Sequence, residues 1–203
     1  MEKDRTKTEK KIKKAVEDIV KDKGFSALGV NAVANKAGVA KMLIYRYFDS
    51  FENLLEKWAM ENSYWITEAS EIFSSEKNNL KTLGDSRNNT AEQVKQLFRK
   101  HIQVLRTDPV KREMSRWMLA EDSKIGRAVL NKTEQRGKEI TEYFNNALKP
   151  QKDAAAYVAV LISGIQHLAN NIDRVNEYNG ISLTTDEGWN RIENAVMEII
   201  DGF

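Results

Sequence analysis

The 203-residue sequence contains no cysteine and only two prolines, Pro109 and Pro150. The lack of cysteine excludes disulfide bonds and thiolate metal sites. The scarcity of proline leaves long stretches without a helix-breaking residue. No hydrophobic leader follows Met1, and the longest nearly apolar run, 154–165, is well short of the roughly 20 residues that cross a bilayer. We therefore expect no membrane partner and a cytoplasmic location.

The sequence also lacks the residue patterns of common catalytic and metal sites. His101 and His167 are its only histidines, and no group of His, Asp and Glu has convincing metal-ligand spacing. No glycine-rich phosphate loop and no nucleophile motif is present. We therefore expect no catalytic residue, no metal and no cofactor, and an enzyme is the least favoured class of function.

Positive charge is concentrated near the N-terminus. Residues 1–48 hold 12 Lys and Arg against 6 Asp and Glu, a net charge of +6, which leaves −4 for the rest of a chain whose total is +2. A basic end on an acidic body is typical of a protein that meets a polyanion at that end. A lysine-rich helix whose charged face is simply solvated would give the same composition.

Apolar residues recur at helical spacing along almost the whole chain, and no alternating strand pattern is found. The fold class that we predict is all-α, with about nine helices near 6–22, 30–36, 40–46, 49–75, 91–106, 110–120, 123–147, 152–175 and 186–202. The polar segments 74–89 and 176–185 are predicted to be loops. We place a three-helix domain at 1–48 and a larger helical domain at 49–203.

Residues 30–48 have the pattern of a helix-turn-helix. Two short helices joined by a tight turn need a small residue, a residue that tolerates positive φ and an apolar anchor, and Ala37, Gly38 and Val39 supply them in that order. A small core is then predicted from Ile12, Val16, Phe25, Val33, Ala34, Ile44 and Phe48. The same spacing also fits an ordinary helical hairpin that binds no DNA.

The segment 10–55 resembles the DNA-binding domain of the TetR family of transcriptional repressors. The matching features, in order, are Ile12…Ala15, Gly24-Phe25, Val33-Ala34, Ala37-Gly38-Val39, Tyr45…Phe48 and Glu52…Leu54-Leu55. The resemblance implies a homodimeric repressor whose larger C-terminal domain binds a small molecule. That domain matches the family only in the number and layout of its helices, so the resemblance names no ligand.

Eight residues are candidates for contact with double-stranded operator DNA. They are Lys7, Lys10, Lys11, Lys41, Leu43, Tyr45, Arg46 and Tyr47. The lysines of the first helix would attract phosphate without regard to sequence. Lys41 and Arg46 suit base edges, and Leu43 suits a thymine methyl group. Tyr45, as the resemblance implies, and Tyr47 can donate hydrogen bonds to phosphate.

Four positions in and around the predicted helix-turn-helix depart from the family pattern. Gly29, Ala40, Leu43 and Phe51 stand where the family often has a hydroxyl, a small polar residue or a cation. Each change removes a group that could hold the DNA backbone. The alternative function is therefore a helical small-molecule-binding or scaffolding protein that has lost specific operator binding.

Two C-terminal segments carry apolar residues at alternating steps of three and four, which is heptad spacing. The predicted dimer interface consists of Val158, Leu161, Ile165, Leu168, Ile172, Trp189, Ile192, Val196 and Ile199. The resemblance favours a homodimer in which two helices from each subunit form a four-helix bundle. Burial of the same stripes against the chain's own body is the alternative.

The larger domain carries a few polar residues on otherwise apolar helices, which is typical of a pocket for a small apolar or amphipathic effector. The candidates are Phe98, His101, Trp117, Tyr143, His167 and Asn170. Plain core packing is the alternative for each of them. The predicted function is a ligand-responsive repressor that binds a palindromic operator as a homodimer.

Overall fold

The computed structural model describes residues 2–67, 86–120, 124–148 and 153–202. Within these ranges the chain forms nine α-helices, so the predicted all-α class is confirmed. They are α1 (Glu2–Lys23), α2 (Val30–Ala37), α3 (Lys41–Phe48), α4 (Phe51–Asn62), α5 (Ser86–Thr107), α6 (Pro109–Ala120), α7 (Lys124–Leu148), α8 (Ala154–Asn170) and α9 (Asp186–Asp201). A short antiparallel hairpin, β1 (Glu177–Tyr178) with β2 (Ile181–Ser182), stands where a plain loop was expected.

The fourth helix is shorter than the predicted span of 49–75. It begins at Phe51, because the Ser50 hydroxyl accepts a hydrogen bond from the backbone N–H of Asn53 at 3.0 Å and caps the first turn. It ends at Asn62, and residues 63–65 are all buried in succession. Ser63 adopts an extended conformation, with φ −75° and ψ 121°, and three consecutive buried residues are not the pattern of a surface helix. Residues 68–75 lie outside the described ranges.

The chain divides into two compact units. The first, which we call the head, contains Met1–Ser63 and Pro109–Lys132; the second, which we call the body, contains Tyr64–Asp108 and Thr133–Phe203. Helices α4 and α6 and the first turns of α7 therefore pack with the helix-turn-helix. The division into functional domains at 1–48 and 49–203 stays a prediction.

The head is built around an apolar core that α1 to α4 share with α6. The residues expected at its centre, Ile12, Val16, Val33, Ala34, Ile44 and Phe48, are all buried. Phe25 packs against this core, edge-on to Trp58 at a centroid distance of 5.8 Å and stacked on Trp117 at 4.6 Å. Each large side chain buried in this way contributes about 1.5–3 kcal/mol to stability.

In the body, α5 packs against α8 and α9. The hairpin closes one end of this core, because the indole Nε1 of Trp189 donates to the carbonyl oxygen of Leu183 at 2.8 Å and both residues are buried. The Thr185 hydroxyl caps α9 by accepting from the backbone N–H of Gly188 at 3.2 Å. A side chain at Gly188 would stand 1.8 Å from the carbonyl oxygen of Ser182, so the two backbones meet directly.

Within the described ranges, every helix is too short or too polar to cross a membrane. The same residues include no group of three or more His, Asp or Glu side chains that could hold a metal ion.

Candidate functional site

The turn between α2 and α3 has the geometry that a helix-turn-helix needs. Gly38 adopts φ 59° and ψ 45°, a left-handed conformation that favours glycine. Its backbone N–H donates to the carbonyl oxygen of Asn35 at 3.1 Å, and the N–H of Val39 donates to that of Ala34 at 3.0 Å. These bonds end α2 and redirect the chain into α3 within a few residues.

Helix α3 has one buried side and one outward face. Ile44 and Phe48 lie in the head core. The outward face consists of exposed Lys41, Met42, Tyr45 and Arg46, with Leu43 and Tyr47 half-buried at its edges. This face therefore exposes an ammonium, a phenol, a guanidinium and apolar groups to solvent. Side chains of these types can bind phosphates and base edges.

Met42 is a member of this face that the sequence reasoning missed. Its side chain is 74% exposed, although methionine is ordinarily a core residue. The periodicity of α3 could have revealed it, because residue 42 lies opposite Ile44 and Phe48 on a helix of 3.6 residues per turn.

The lysines of α1 fall into two groups. Lys7, Lys10 and Lys11 form no ion pair with any residue that the structure describes, and all three are exposed. The ammonium of Lys11 lies over the helix-turn-helix, 3.6 Å from where a Cβ at Gly38 would stand. Lys14, in contrast, contacts Glu17 at 2.7 Å, and this hydrogen bond raises the pKa of Lys14.

Arg5 connects the start of α1 to the end of α3 and was absent from the candidates. Its guanidinium donates to the carbonyl oxygen of Tyr47 at 3.4 Å, and its Cζ lies 5.4 Å from the centroid of the Tyr47 ring. Arg5 also donates to Glu9 at 2.7 Å, which raises the pKa of Arg5. Tyr47 is therefore held in place from α1.

The departures from the family pattern have visible structural consequences. Gly29 and Ala40 are the N-cap residues of α2 and α3, and neither helix has a side-chain cap. Phe51 is half-buried and packs against the head core. Phe51 thus contributes to packing, whereas a cation at this position would extend its charged end into solvent.

In the body, the structure brings three of the predicted effector-binding residues into the interior. Phe98 and His101 on α5 and Asn170 at the end of α8 are buried. Phe98 is part of the apolar core of the body, which also contains Val94, Leu97 and Ile102 from the same helix.

The other three predicted effector-binding residues lie elsewhere. Trp117 belongs to the head, where it stacks on Phe25. His167 is exposed on α8, with its ring edge-on to that of Tyr178 at 5.7 Å. Tyr143 is on α7, but its side chain lies outside the described part of the structure.

His101 has an unusual environment. Its side chain is 1% exposed, and its ring centroid lies 5.1 Å from that of Tyr64 and 4.9 Å from that of Trp65. Neither ring nitrogen has a hydrogen-bond partner among the described residues. Burial lowers the pKa of His101 to about 3, because the charged imidazolium would lose its hydration there.

Acidification is expected to destabilise the protein partly through His101. The folded state keeps this imidazole neutral, whereas the unfolded chain takes up a proton below the ordinary pKa of 6.5. The stabilisation is therefore complete above pH 6.5 and is lost as the pH falls towards 3, by about 2 kcal/mol between pH 7 and pH 5. Urea unfolding at both pH values measures it, and a His101→Phe variant should lack this part of the loss. His167→Phe, at an exposed site, is the control; equal pH dependence in all three proteins would contradict the assignment.

The predicted dimer stripes are divided between the interior and the surface. Ile165, Trp189, Ile192 and Val196 are buried in the body core of their own subunit, which is the alternative that the spacing left open. Half-buried residues that pack on the same core are Val158, Leu161, Leu168 and Ile172. Ile199 is exposed. The outward face of α8 instead carries Ala156, Val160 and Gly164, all exposed.

Residues 14–57 match a family of bacterial regulatory proteins, the tetR family. No curated protein matches the chain. Among solved structures, FadR from Bacillus halodurans, a fatty acid degradation regulator, is similar with a TM-score of 0.66 at 17% identity over 96% of this chain and 95% of that chain. NalD of Pseudomonas aeruginosa, the secondary repressor of the MexAB-OprM multidrug efflux pump, has a TM-score of 0.64 at 17% identity over 98% and 96%.

FadR from Bacillus subtilis, solved in complex with stearoyl-CoA, has a TM-score of 0.57 at 17% identity over 95% of this chain and 98% of that chain. At these identities the likeness to solved structures concerns the fold, and the family match covers the helix-turn-helix itself. The tetR family match is thus confined to residues 14–57, and the likeness to the solved structures shows that the chain as a whole has their all-helical fold.

Proposed function

We propose that the chain is a ligand-responsive repressor that binds a roughly palindromic operator as a homodimer, with α3 of each subunit in a major groove. The observation that carries the proposal is the outward face of α3, where Lys41, Tyr45 and Arg46 are exposed beside the left-handed turn. A helix presented in this way fits the major groove and can reach base edges. Lys11, over the turn and without an ion pair in the described part of the chain, supplies positive charge for phosphate.

The proposed dimer is formed by the outward faces of α8 and α9. Ala156, Val160 and Gly164 on α8 and Ile199 on α9 expose apolar or small side chains in the isolated subunit. Small residues let two helices approach closely, and a two-fold arrangement buries each face against its own copy. Two reading helices related by this symmetry suit the two half-sites of a palindrome.

The proposed effector is a small apolar or amphipathic molecule that binds in the body. The body core is apolar, with the polar side chains of Gln93, His101 and Asn170 buried in it. The stearoyl-CoA found with FadR from Bacillus subtilis supports a ligand with a long apolar part. An effector that prefers the conformation unable to bind DNA must lose affinity for the protein by the same factor when DNA is bound.

Comparison of the protein's own upstream duplex with a scrambled duplex of equal length and composition tests this function. We expect tighter binding of the upstream duplex by at least roughly a thousandfold, as is typical of specific recognition. Equal affinity would favour the alternative, a small-molecule-binding or scaffolding protein without operator recognition. Two observations favour that alternative: Ala40 provides no side-chain cap for α3, and Phe51 packs against the head core.

Neutralising Lys11 is expected to weaken binding to every duplex and to reduce the dependence of affinity on salt. The slope of log affinity against log salt should fall by about 0.9 for each phosphate that the protein no longer neutralises, and adding Lys7→Gln and Lys10→Gln should reduce it further. Fluorescence anisotropy at several salt concentrations measures the slope. Lys14→Gln is the matched control, because that lysine is already engaged by Glu17. If Lys11→Gln leaves the slope unchanged, its ammonium faces only solvent.

A further inference from the structure

We infer that the effector of this chain is an apolar molecule with an uncharged hydrogen-bonding head group, a hydroxyl or a carbonyl, and that His101 holds that group. The inference rests on the proposed function, because it concerns the effector site of the body. It adds the chemical class of the ligand and the residue that selects it.

The first argument is the state of the His101 side chain. A buried polar group without a partner costs about 1–3 kcal/mol, so buried side-chain nitrogens are nearly always hydrogen-bonded in native proteins. Both nitrogens of His101 lack a partner among the described residues. A ligand that forms a hydrogen bond with His101 would remove this unfavourable free energy on binding. His101 would then act as an anchor for the ligand.

The second argument is the surroundings of the ring. Tyr64 and Trp65 place aromatic rings within about 5 Å of the imidazole centroid, at 5.1 and 4.9 Å. The Tyr64 hydroxyl already donates to the carbonyl oxygen of Leu97 at 2.9 Å. The polar atom of Tyr64 thus has a hydrogen bond, whereas the two His101 nitrogens have none among the described residues. The neighbouring rings provide apolar surface that the rest of the ligand can contact.

The third argument is charge. Burial keeps the pKa of His101 far below neutrality, so the ring offers one donor and one acceptor without a positive charge. Three cations of α5 are engaged by carboxylates: Lys95 by Asp201, Arg99 by Glu92 and Glu193, and Arg106 by Asp186. Lys100, the neighbour of His101 in sequence, is exposed and donates to Gln103 at 3.3 Å, so its charge lies at the surface and not in the core. A carboxylate head group would thus enter the core without a countercharge, which is far more costly than burying a hydrogen-bonded hydroxyl or ester.

Three probes with the same ten-carbon chain test the ligand class: 1-decanol, methyl decanoate and decanoate. Titration of the full-length protein without DNA at pH 7.5, followed by tryptophan fluorescence, reports on the site because Trp65 lies beside His101. We expect the alcohol and the ester to bind at least tenfold more tightly than decanoate. The ratio of alcohol to ester shows whether the imidazole acts mainly as acceptor or as donor. Equal or tighter binding of decanoate, or no binding of either neutral probe, would overturn the inference.

His101→Phe separates an anchor from a structural residue, since it keeps a ring and removes both nitrogens. We expect 1-decanol affinity to fall by roughly fivefold to tenfold, as for loss of one hydrogen bond, with the melting temperature of the ligand-free protein unchanged or higher. A lower melting temperature with unchanged affinity would assign the nitrogens a structural partner and overturn the inference. His167→Phe, exposed on α8, should change neither quantity. Because DNA is absent from these measurements, their failure leaves the repressor proposal standing, and equal binding of both duplexes would leave the ligand class standing.

Discussion

A Val160→Glu variant is expected to sediment as a monomer and to lose operator affinity by roughly a hundredfold or more. Val160 is 72% exposed on the outward face of α8, so the substitution leaves the core of the subunit intact. In a two-fold dimer the new carboxylate would be desolvated close to its own copy, which is strongly unfavourable. Losing the dimer also removes the gain from engaging both half-sites together, a factor of about 10²–10⁴.

Two further variants make this result specific. Leu119→Glu adds the same charge at a site on α6 that is 68% exposed, and it should leave the protein dimeric. Ile165→Glu places the carboxylate in the body core and should unfold the subunit, with loss of helical circular dichroism. A Val160→Glu protein that remains dimeric in sedimentation would remove this face from the interface.

A Gly188→Ala variant is expected to lower the free energy of unfolding by about 3 kcal/mol or more, the upper range for overpacking. The added Cβ would stand 1.8 Å from the carbonyl oxygen and 2.8 Å from the carbonyl carbon of Ser182. These are backbone atoms of β2, so they can move away only if the hairpin shifts from the start of α9. Such a shift would disturb the Thr185 cap and the hydrogen bond from Trp189 to Leu183.

Urea unfolding measures this effect, and Gly137→Ala provides the control. A Cβ at Gly137, in the middle of α7, would meet nothing within 4 Å. Alanine there should stabilise the protein by up to about 1 kcal/mol, because it removes the entropic cost of glycine in a helix. Similar changes in both variants would show that β2 and α9 are not tightly packed.

The helix-turn-helix was predictable because its geometry depends on short-range contacts. The positive φ of Gly38 and the burial of Ile44 and Phe48 both followed from residue types close to one another in the chain. The end of α4 did not follow, since Ser63 and Tyr64 carry no helix-stopping chemistry as strong as that of proline. Both residues are buried, and the Tyr64 hydroxyl donates to the carbonyl oxygen of Leu97, a tertiary contact that the local sequence does not reveal.

Heptad spacing on α9 identified a buried stripe but not what buries it. A partner subunit and the chain's own α5 remove water from such a stripe equally well, so Ile192 and Val196 look the same in sequence in either case. His101 shows the same limit. Its place on an apolar stripe was visible, but its neighbours Tyr64 and Trp65 come from a segment much earlier in the chain. The burial of the His101 nitrogens without a hydrogen-bond partner results from this tertiary packing, so it was not visible in the sequence.

The division of the head between Met1–Ser63 and Pro109–Lys132 affects how the protein is made. During synthesis, the first of these segments leaves the ribosome before α6 exists, and Trp117 is not yet present to stack on Phe25. Val110 and Met114, which are buried in the same core, are also still missing. The nascent head therefore keeps an open apolar side while the first part of the body is translated, a state that attracts chaperones. A chimera that transplants the helix-turn-helix must accordingly carry 109–132 with the N-terminal helices.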